Sequence, residues 1–314
     1  MTVLRIGTRA SALATTQSRL VADLIRDRLG REVELVEVTT EGDRSAESLA
    51  VIGGTGVFVT ALREALIEGR VDVAVHSLKD LPTAPDPRIA LAAVPPREDP
   101  RDVVVARDGL TLGELPVGSR VGTGSPRRAA QLHALGMGLE LVDIRGNVDT
   151  RIAKVRSGEY DAVVLARAGL ARLDRLDEAT EVLDPLQVLP APGQGALAVE
   201  CRAADTDLVR ALAALDDAAS RAAVTAERSV LATLEGGCSA PIGALAEVAE
   251  GDDGDELWVR AVALSPDGTL AVRMSATGTP RNAADLGARL ARDMLAEGAG
   301  ELTDAPTETV SQKQ

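Results

Sequence analysis

The sequence predicts an α/β protein with two doubly wound lobes and a third, smaller α+β domain. Three observations lead to this prediction. Short apolar strands alternate with helical segments over roughly the first two-thirds of the chain, as in βαβ units. Two connections rich in proline, at 82–100 and 184–195, indicate that the chain leaves the first lobe and later returns to it. From about residue 218 the pattern changes to a helix followed by strands of antiparallel type.

The first lobe is expected at residues 1–96 together with 196–217. Ser11 is placed to cap its first helix and Gly30 to end it. The β-branched runs are typical of parallel strands that are covered on both faces. Strands and helices are expected, in chain order, at 3–7, 12–29, 32–38, 57–68, 71–76 and 196–201.

The second lobe is expected at residues 97–195 and the third domain at 218–302. The predicted strands of the second lobe are Val103–Ala106, Ser119–Gly122, Glu140–Ile144 and Asp161–Ala166, with helices at 126–135, 148–157 and 168–176. In the third domain, helices at 218–234 and 282–297 flank strands at 242–249, 256–264 and 269–277. The tail, 303–314, is expected to be disordered.

Composition excludes several classes of protein. The net charge of −14 opposes binding to nucleic acid and to anionic membranes. Two cysteines are too few for a disulfide framework or a zinc cluster, and no metal site is expected. The sequence shows neither a signal-peptide pattern nor an apolar run of membrane-spanning length. We therefore expect a cytoplasmic protein that contacts neither membrane nor nucleic acid.

Arginine supplies nearly all of the positive charge. Lysine occurs only at 79, 154 and 313, among 34 basic residues. A GC-rich genome explains such a bias, and so does a ligand with carboxylates or phosphates, which the planar guanidinium binds with two hydrogen bonds. The positions of the arginines must decide between these explanations.

Three segments at predicted strand ends carry unusual chemistry. In the first, 76–82, Asp80 and Lys79 follow a buried strand and are placed either to meet a ligand or to form an ordinary surface turn. In the second, 122–128, Ser125 and Pro126 begin a helix whose first turn contains Arg127 and Arg128. Two cations there oppose the helix dipole, and this cost without structural benefit suggests an anionic ligand.

The third segment, 143–151, places Arg145 at a strand end and Arg151 one turn into the next helix. Arg9 and Ser11 follow the first strand, and Arg172 follows a later one. Any one of these arginines alone is more often a solvated surface group. Together they predict a cradle for carboxylates or phosphates in the cleft between the lobes.

The two cysteines differ in their expected roles. Cys201 ends an apolar strand and is expected to be buried and inert. Cys238 lies in a Gly-Gly-Cys-Ser loop that exposes its sulfur. With only His76 and His133 in the chain, a papain-like protease is improbable. The glycine-rich segment at 53–56 fits neither standard nucleotide-binding fingerprint and is interpreted as a mobile loop.

Taken together, these segments resemble the porphobilinogen deaminase family. The matching stretches run in order through most of the chain, and the combination of HS-KD-P with EGGC is highly specific. They are IGTRAS (6–11), FVTALREAL (58–66), DVAVHSLKDLP (72–82), REDPRD (97–102), VGTGSPRR (121–128), IRGNVDTR (144–151), GEYDAVVLARAGLARL (158–173), LPAPGQGALAVECR (189–202) and TAERSVLATLEGGCSAPIG (225–243).

The resemblance implies two lobes like those of periplasmic-type binding proteins and a third domain that carries the cysteine. It implies a dipyrromethane cofactor, joined by a thioether to Cys238, onto which four porphobilinogens are condensed with loss of ammonia. Hydrolysis then releases hydroxymethylbilane. The family leads us to expect a monomer whose substrate is free porphobilinogen.

The resemblance also assigns residues. Asp80 takes the catalytic role, because a fixed carboxylate stabilises the positive charge that develops on the pyrrole nitrogens as ammonia leaves. The residues implied to bind the cofactor or substrate are Arg9, Ser11, Phe58, Lys79, Ser125, Arg127, Arg128, Arg145, Arg151, Arg172 and Gln194. Thr55 stands where relatives often have lysine, so one contact of that loop is in doubt.

Two alternatives come from other classes of protein. A two-lobed carboxylate-binding protein or sensor domain explains the cleft and the arginines but not the cysteine domain. A Schiff-base enzyme that uses Lys79 needs a desolvated lysine, whereas the neighbouring Asp80 is expected to keep that lysine charged.

Overall fold

The computed structural model of the chain describes residues 3–38, 56–234, 240–251 and 254–303. Within these residues the chain forms two five-stranded sheets and one three-stranded sheet. Alanine, valine and leucine dominate the apolar cores that cover the sheets. The α/β fold class predicted from the sequence, with a smaller α+β part, is confirmed.

The first sheet has the strand order β2-β1-β3-β10-β4. Its strands are β1 (Leu4–Thr8), β2 (Val33–Glu37), β3 (Val73–Ser77), β4 (Ile89–Ala93) and β10 (Leu197–Arg202). The helices of this lobe are α1 (Ala12–Leu29), α2 (Gly56–Ile67) and α6 (Thr206–Leu212). Ser11 caps α1 by accepting a hydrogen bond from the Ala14 amide, and Gly30 ends it in the left-handed conformation, as predicted.

The second sheet repeats this layout in the order β7-β6-β8-β5-β9. Its strands are β5 (Asp102–Ala106), β6 (Arg120–Gly122), β7 (Glu140–Val142), β8 (Ala162–Ala166) and β9 (Glu181–Val182). The helices of this lobe are α3 (Pro126–Ala134), α4 (Val148–Arg156) and α5 (Arg167–Arg172).

Both large sheets are mixed: each keeps the parallel strands that the βαβ pattern predicts and adds antiparallel ones. β10 runs antiparallel to β3 and β4, and β5 runs antiparallel to β8 and β9. The reason lies in the two proline-rich connections between the lobes, 82–100 and 184–195, which are called the first and the second crossing below. A strand that arrives from the other lobe enters its sheet at the edge where the parallel strands end, so it runs in the opposite direction.

The third sheet is an antiparallel meander of β11 (Ile242–Gly251), β12 (Gly254–Leu264) and β13 (Ala271–Gly278). One face packs against α7 (Ala218–Thr233) and α8 (Ala283–Ala296), and the short α9 (Ala299–Thr303) follows. The other face contacts the second lobe, where Leu245 and Leu264 share a cluster with Leu189.

A buried ion pair joins the third domain to both crossings. Glu227 of α7 is fully buried and accepts hydrogen bonds from Arg97 at 2.7 and 3.0 Å. It also accepts from the Gly193 amide at 2.6 Å. Since Arg97 lies in the first crossing and Gly193 in the second, α7 holds the two connections side by side.

The sequence pattern missed four short helices and strands. β4 lies inside the Pro-rich stretch that was interpreted as a connection, β9 has only two residues, α6 follows the returning strand, and α9 lies just before the tail. Several predicted features lie outside the described residues: positions 53–55 of the glycine-rich segment, with Thr55 among them, the loop that carries Cys238, residues 304–314 and the side chain of Phe58. None of the described helices is both long and apolar enough to cross a membrane.

Candidate active site

The carboxyl ends of the parallel strands gather the predicted site residues at one edge of each sheet. β3 ends at Ser77, which pairs with Leu197 at the start of β10. β8 ends at Ala166, which pairs with Asp102 at the start of β5. Residues just before β10 and at the start of β5 therefore lie at the same edges as the turns that follow β3 and β8.

Asp80 and Lys79 lie in a single 3₁₀ turn, Leu78–Asp80, directly after β3. Arg228 of α7 fixes this turn by donating to the carbonyl of Leu81 at 3.0 Å and to that of Pro82 at 2.6 Å. Both Asp80 and Lys79 are half-buried. No hydrogen bond from a described residue reaches the Asp80 carboxylate, so a rigid turn presents an acceptor that is left for a ligand.

Arg127 and Arg128 form a buried ion-pair cluster that the sequence pattern does not predict. Both side chains are buried, and their Nη2 atoms donate to the two oxygens of Asp102 at 2.8 and 2.7 Å. Asp102 is fully buried at the start of β5. Burial acts to raise the pKa of Asp102, but the two guanidiniums outweigh burial and lower it well below its usual range. Contrary to the expectation from the sequence, these arginines do bring a structural benefit, because they pair with a buried carboxylate.

This cluster still fits an anionic ligand. Two guanidiniums share one carboxylate, so the cluster of Arg127, Arg128 and Asp102 carries an excess positive charge. The Nε atoms of both arginines are buried and have no hydrogen-bond partner among the described residues. Buried donors of this kind are costly unless a partner arrives. Ser125 caps α3 by accepting from the Arg128 amide at 3.5 Å, and Pro126 occupies the first helical position, as predicted.

Gln194 connects Asp102 to Lys79. Its Nε2 atom donates to Asp102 Oδ1 at 2.7 Å, and its Oε1 atom accepts from Lys79 Nζ at 3.2 Å. Burial, together with repulsion from Arg128, lowers the pKa of Lys79 to about 8. Asp80 favours the charged form and partly offsets these effects, so with a pKa of about 8 the lysine still carries its proton at neutral pH.

Arg145 and Arg151 lie on the loop and helix that follow β7. Arg145 is about half exposed, with 48% of its side chain accessible, and pairs with Asp143 at 3.1 Å. Arg151 donates from Nε to the Gly146 carbonyl at 2.9 Å. Burial and the nearby Arg128 lower the pKa of Arg151.

Arg172 contacts the second crossing. It ends α5 and donates to the Gly195 carbonyl, and burial lowers its pKa to about 10. Gly195 has a φ of +86°, and a Cβ atom there would lie 2.3 Å from the Glu98 carbonyl oxygen. Only glycine fits at this close approach between the two crossings. Arg9 and Ser11 follow β1, at the carboxyl edge of the first sheet.

Sequence reasoning missed Asp102, Gln17 and Arg228. Gln17 of α1 is buried and donates to Ser77 Oγ at 3.0 Å, at the end of β3. Asp102 lies within the REDPRD stretch that carried the family resemblance, which was the available signal. Among the described residues, no three His, Cys, Asp or Glu side chains are grouped so that they could hold a metal ion.

Comparison with protein families shows which family the chain belongs to. A family profile described as "Porphobilinogen deaminase, dipyromethane cofactor binding domain" matches residues 4–210. A second, "Porphobilinogen deaminase, C-terminal domain", matches residues 221–296. The chain belongs to the porphobilinogen deaminase family.

Curated relatives agree over nearly the whole chain. A porphobilinogen deaminase of Mycobacterium bovis is 61% identical over 305 residues, covering 96% of this chain and 98% of the relative. One of Nocardia farcinica is 59% identical over 306 residues, covering 96% of this chain and 88% of the relative. These matches favour the deaminase over both the carboxylate-binding protein and the Schiff-base enzyme.

Solved structures of two-lobed proteins align less closely. The VFT2 domain of Bordetella pertussis BvgS is 16% identical with a TM-score of 0.42, covering 68% of this chain and 86% of that chain. A periplasmic substrate-binding protein from Coxiella burnetii is 14% identical with a TM-score of 0.44, covering 68% and 92% respectively. The order of strands in the sheets, rather than this likeness, supports the fold assignment.

Family membership fixes the activity. The chain is a transferase of haem biosynthesis with hydroxymethylbilane synthase activity, and it carries a dipyrromethane cofactor. The roles of individual residues are a separate question.

Proposed function

We propose that Asp80 is the catalytic carboxylate of this enzyme and that Cys238 anchors the cofactor. The observation that supports the role of Asp80 most directly is its setting. It is a half-buried carboxylate on a turn fixed by Arg228, and none of the described residues donates a hydrogen bond to it. Such a group is preorganised for charge that develops on a ligand, since it has no bond of its own to break.

When bound, the dipyrromethane supplies the pyrrole carbon onto which porphobilinogen is condensed. The task of Asp80 is electrostatic: its carboxylate accepts hydrogen bonds from pyrrole N–H groups and stabilises the cation that remains when porphobilinogen loses ammonia. Its position in a turn at the sheet edge keeps the charge fixed during successive additions. A fixed charge avoids the reorganisation that water would require.

The positive residues bind the carboxylates of these pyrroles. Each porphobilinogen brings an acetate and a propionate, so the number of carboxylates grows with every addition. Guanidiniums bind carboxylates with paired, charge-assisted hydrogen bonds. In this proposal Lys79, Ser125, Arg127, Arg128 and Arg145 hold the cofactor. The substrate contacts are Arg9, Ser11, Phe58, Arg145, Arg151, Arg172 and Gln194.

In this proposal each of the three domains supplies a different part of the active site. Lobe one, 1–96 with 196–217, supplies Asp80, and lobe two, 97–195, supplies the buried arginines. The third domain, 218–302, supplies Cys238. Leu234, the last described residue before that cysteine, follows α7, the helix that also fixes the Asp80 turn through Arg228. A single helix thus leads toward the cofactor anchor and holds the catalytic turn.

We further propose that the enzyme works as a monomer in the cytoplasm and takes porphobilinogen as a free small molecule. The acidic composition supports the exclusion of nucleic acid as a partner, since a net charge of −14 repels polyanions.

Asp80→Asn tests the catalytic role. This variant keeps the size of the side chain but removes its charge, so we expect turnover to fall by roughly a hundred- to a thousandfold. Steady-state kinetics with porphobilinogen measure the change. Intact mass spectrometry of the denatured protein should show that the cofactor remains attached.

The matched control is Asp86→Asn. Asp86 lies nearby in the chain but pairs with the exposed Arg88 at 2.7 Å, outside the proposed machinery. We expect this variant to keep its turnover. Turnover near that of the parent enzyme in Asp80→Asn would remove Asp80 from the catalytic role.

A further inference from the structure

Gln194 is held in one orientation by its own hydrogen bonds. Its Nε2 atom donates to the Pro100 carbonyl and to Asp102 Oδ1, both at 2.7 Å. A flipped amide would place its oxygen against these two acceptors, so the nitrogen must face them. The Oε1 atom is thereby fixed toward the other side, where Lys79 Nζ lies 3.2 Å away.

Lys79 depends on this amide because both oxygens of the buried Asp102 carboxylate already accept hydrogen bonds. Both oxygens of Asp102 accept from arginines, and one of them also accepts from Gln194. Lys79 therefore reaches Asp102 only through the amide of Gln194. A neutral oxygen holds the ammonium in place without forming an ion pair with it. Among the charged groups around Lys79, Asp80 and Asp102 favour its charged form, whereas Arg127 and Arg128 oppose it. The ammonium can therefore still pair with an incoming carboxylate.

The hydrogen bonds of the Gln194 side chain also join the two lobes. Lys79 lies on the turn after β3 in the first sheet, Asp102 begins β5 in the second, and Gln194 lies in the second crossing. The Gln194 carbonyl accepts from Arg97 Nε at 2.8 Å, and Gln194 is 1% exposed. The first crossing thus fixes Gln194 twice: Arg97 holds its backbone carbonyl, and the Pro100 carbonyl holds its side chain.

We propose that Gln194 is a positioning residue: its amide, oriented by Asp102, holds the Lys79 ammonium at the junction of the two lobes, ready to pair with a ligand carboxylate. This inference rests on the carboxylate-binding role proposed for Lys79. Beyond the substrate contact proposed above, it gives Gln194 a role that acts through Lys79.

The scarcity of lysine makes the proposal directly testable. The chain has three lysines, at 79, 154 and 313, so reductive methylation with ¹³C-labelled formaldehyde gives few NMR signals. The signal that disappears in Lys79→Arg identifies Lys79. Its pKa in the parent protein is lowered by burial and by Arg128 to about 8, so the titration falls in an accessible range of pH.

The test variant is Gln194→Met, which keeps the length of the side chain but removes the amide. A hydrogen bond to a charged group favours the charged form, so its loss should lower the titration midpoint of Lys79 by about one pH unit. The Lys154 signal provides an internal reference, since that lysine pairs with Glu159 at 2.9 Å on the surface.

Gln131→Met is the matched control. Gln131 is also buried and also bonds to the backbone of the second crossing, through the Leu189 carbonyl, but no hydrogen bond joins it to Lys79. We expect the Lys79 midpoint to stay at its parent value in this variant. A parent-like midpoint in Gln194→Met would overturn the proposal, as would an equal shift in both variants.

This measurement is independent of turnover. It follows one proton on one side chain, so it gives the same answer whether or not Lys79 binds a carboxylate of porphobilinogen. Failure of the role proposed for Lys79 would appear instead as parent-like incorporation of the dipyrromethane in Lys79→Met, measured by the intact mass of the denatured protein, although the Lys79 midpoint shifts in Gln194→Met.

Discussion

Among the arginine–carboxylate groups of the second lobe, two differ sharply in their setting. In one, Arg127 and Arg128 share Asp102, which has no exposed surface. In the other, Arg145 pairs with Asp143, and the two side chains are 48% and 60% exposed. Both groups begin near strand ends, and both match the family pattern.

The difference between them is one of electrostatic environment. In the buried group each charge is desolvated, so the carboxylate is required to keep the arginines folded into place. In the exposed group water solvates both partners, so the pair contributes little to stability and breaks readily. The buried arginines are therefore part of the framework as well as the site, whereas Arg145 can exchange Asp143 for a ligand carboxylate at little cost.

The largest expected effect is on stability. Asp102→Asn removes the charge between two buried guanidiniums, and we expect it to lower the free energy of unfolding by about 3–5 kcal/mol. Asp143→Asn removes the partner of an exposed arginine and should change that free energy by less than about 1 kcal/mol. Denaturant unfolding followed by circular dichroism measures both. Equal losses in the two variants would contradict the comparison.

A smaller effect is expected on substrate binding. Arg145→Met removes an exposed cation that makes charge-assisted hydrogen bonds to the ligand, so KM for porphobilinogen should rise about tenfold, with kcat little changed. Stability should stay within about 0.5 kcal/mol of the parent protein. Steady-state kinetics together with an unfolding curve separate these two quantities.

Arg156→Met is the control for that variant. Arg156 is an exposed arginine in the same lobe, at the end of α4, and pairs with Glu178 at 2.9 Å. Its KM should equal that of the parent. If Arg145→Met also left KM unchanged, Arg145 would be an ordinary surface arginine and would not belong to the carboxylate cradle.

The sequence was sufficient to predict much of this arrangement. Local signals are the reason: Ser11, Ser125 and Asn147 each cap the helix that was expected to follow them. The alternation of strands and helices likewise predicted most of the elements. The arginines were found because their positions relative to strand ends can be seen in the chain.

Properties that depend on distant residues could not be predicted in this way. The direction of β5 and β10 depends on where the crossings enter each sheet. The partner of Arg127 is Asp102, 25 residues earlier in the chain, and no local pattern indicates that these side chains meet. The depressed pKa of Lys79 likewise comes from burial and from Arg128 of the other lobe. Whether an arginine is buried and which carboxylate it pairs with can be known only from the folded structure. These two properties distinguish the arginines that also stabilise the framework from those that are free to bind a ligand.

The most direct test of the account is the mass of the denatured protein, with Cys238→Ser measured beside it. Denaturation removes every ligand that is not covalently bound. After incubation with porphobilinogen, the parent chain should exceed its polypeptide mass by two porphobilinogens less two ammonias, or by that amount plus further units, and Cys238→Ser should show no surplus. A parent chain that remained at its bare polypeptide mass would contradict a covalent cofactor, and an equal surplus in the variant would contradict its attachment to Cys238.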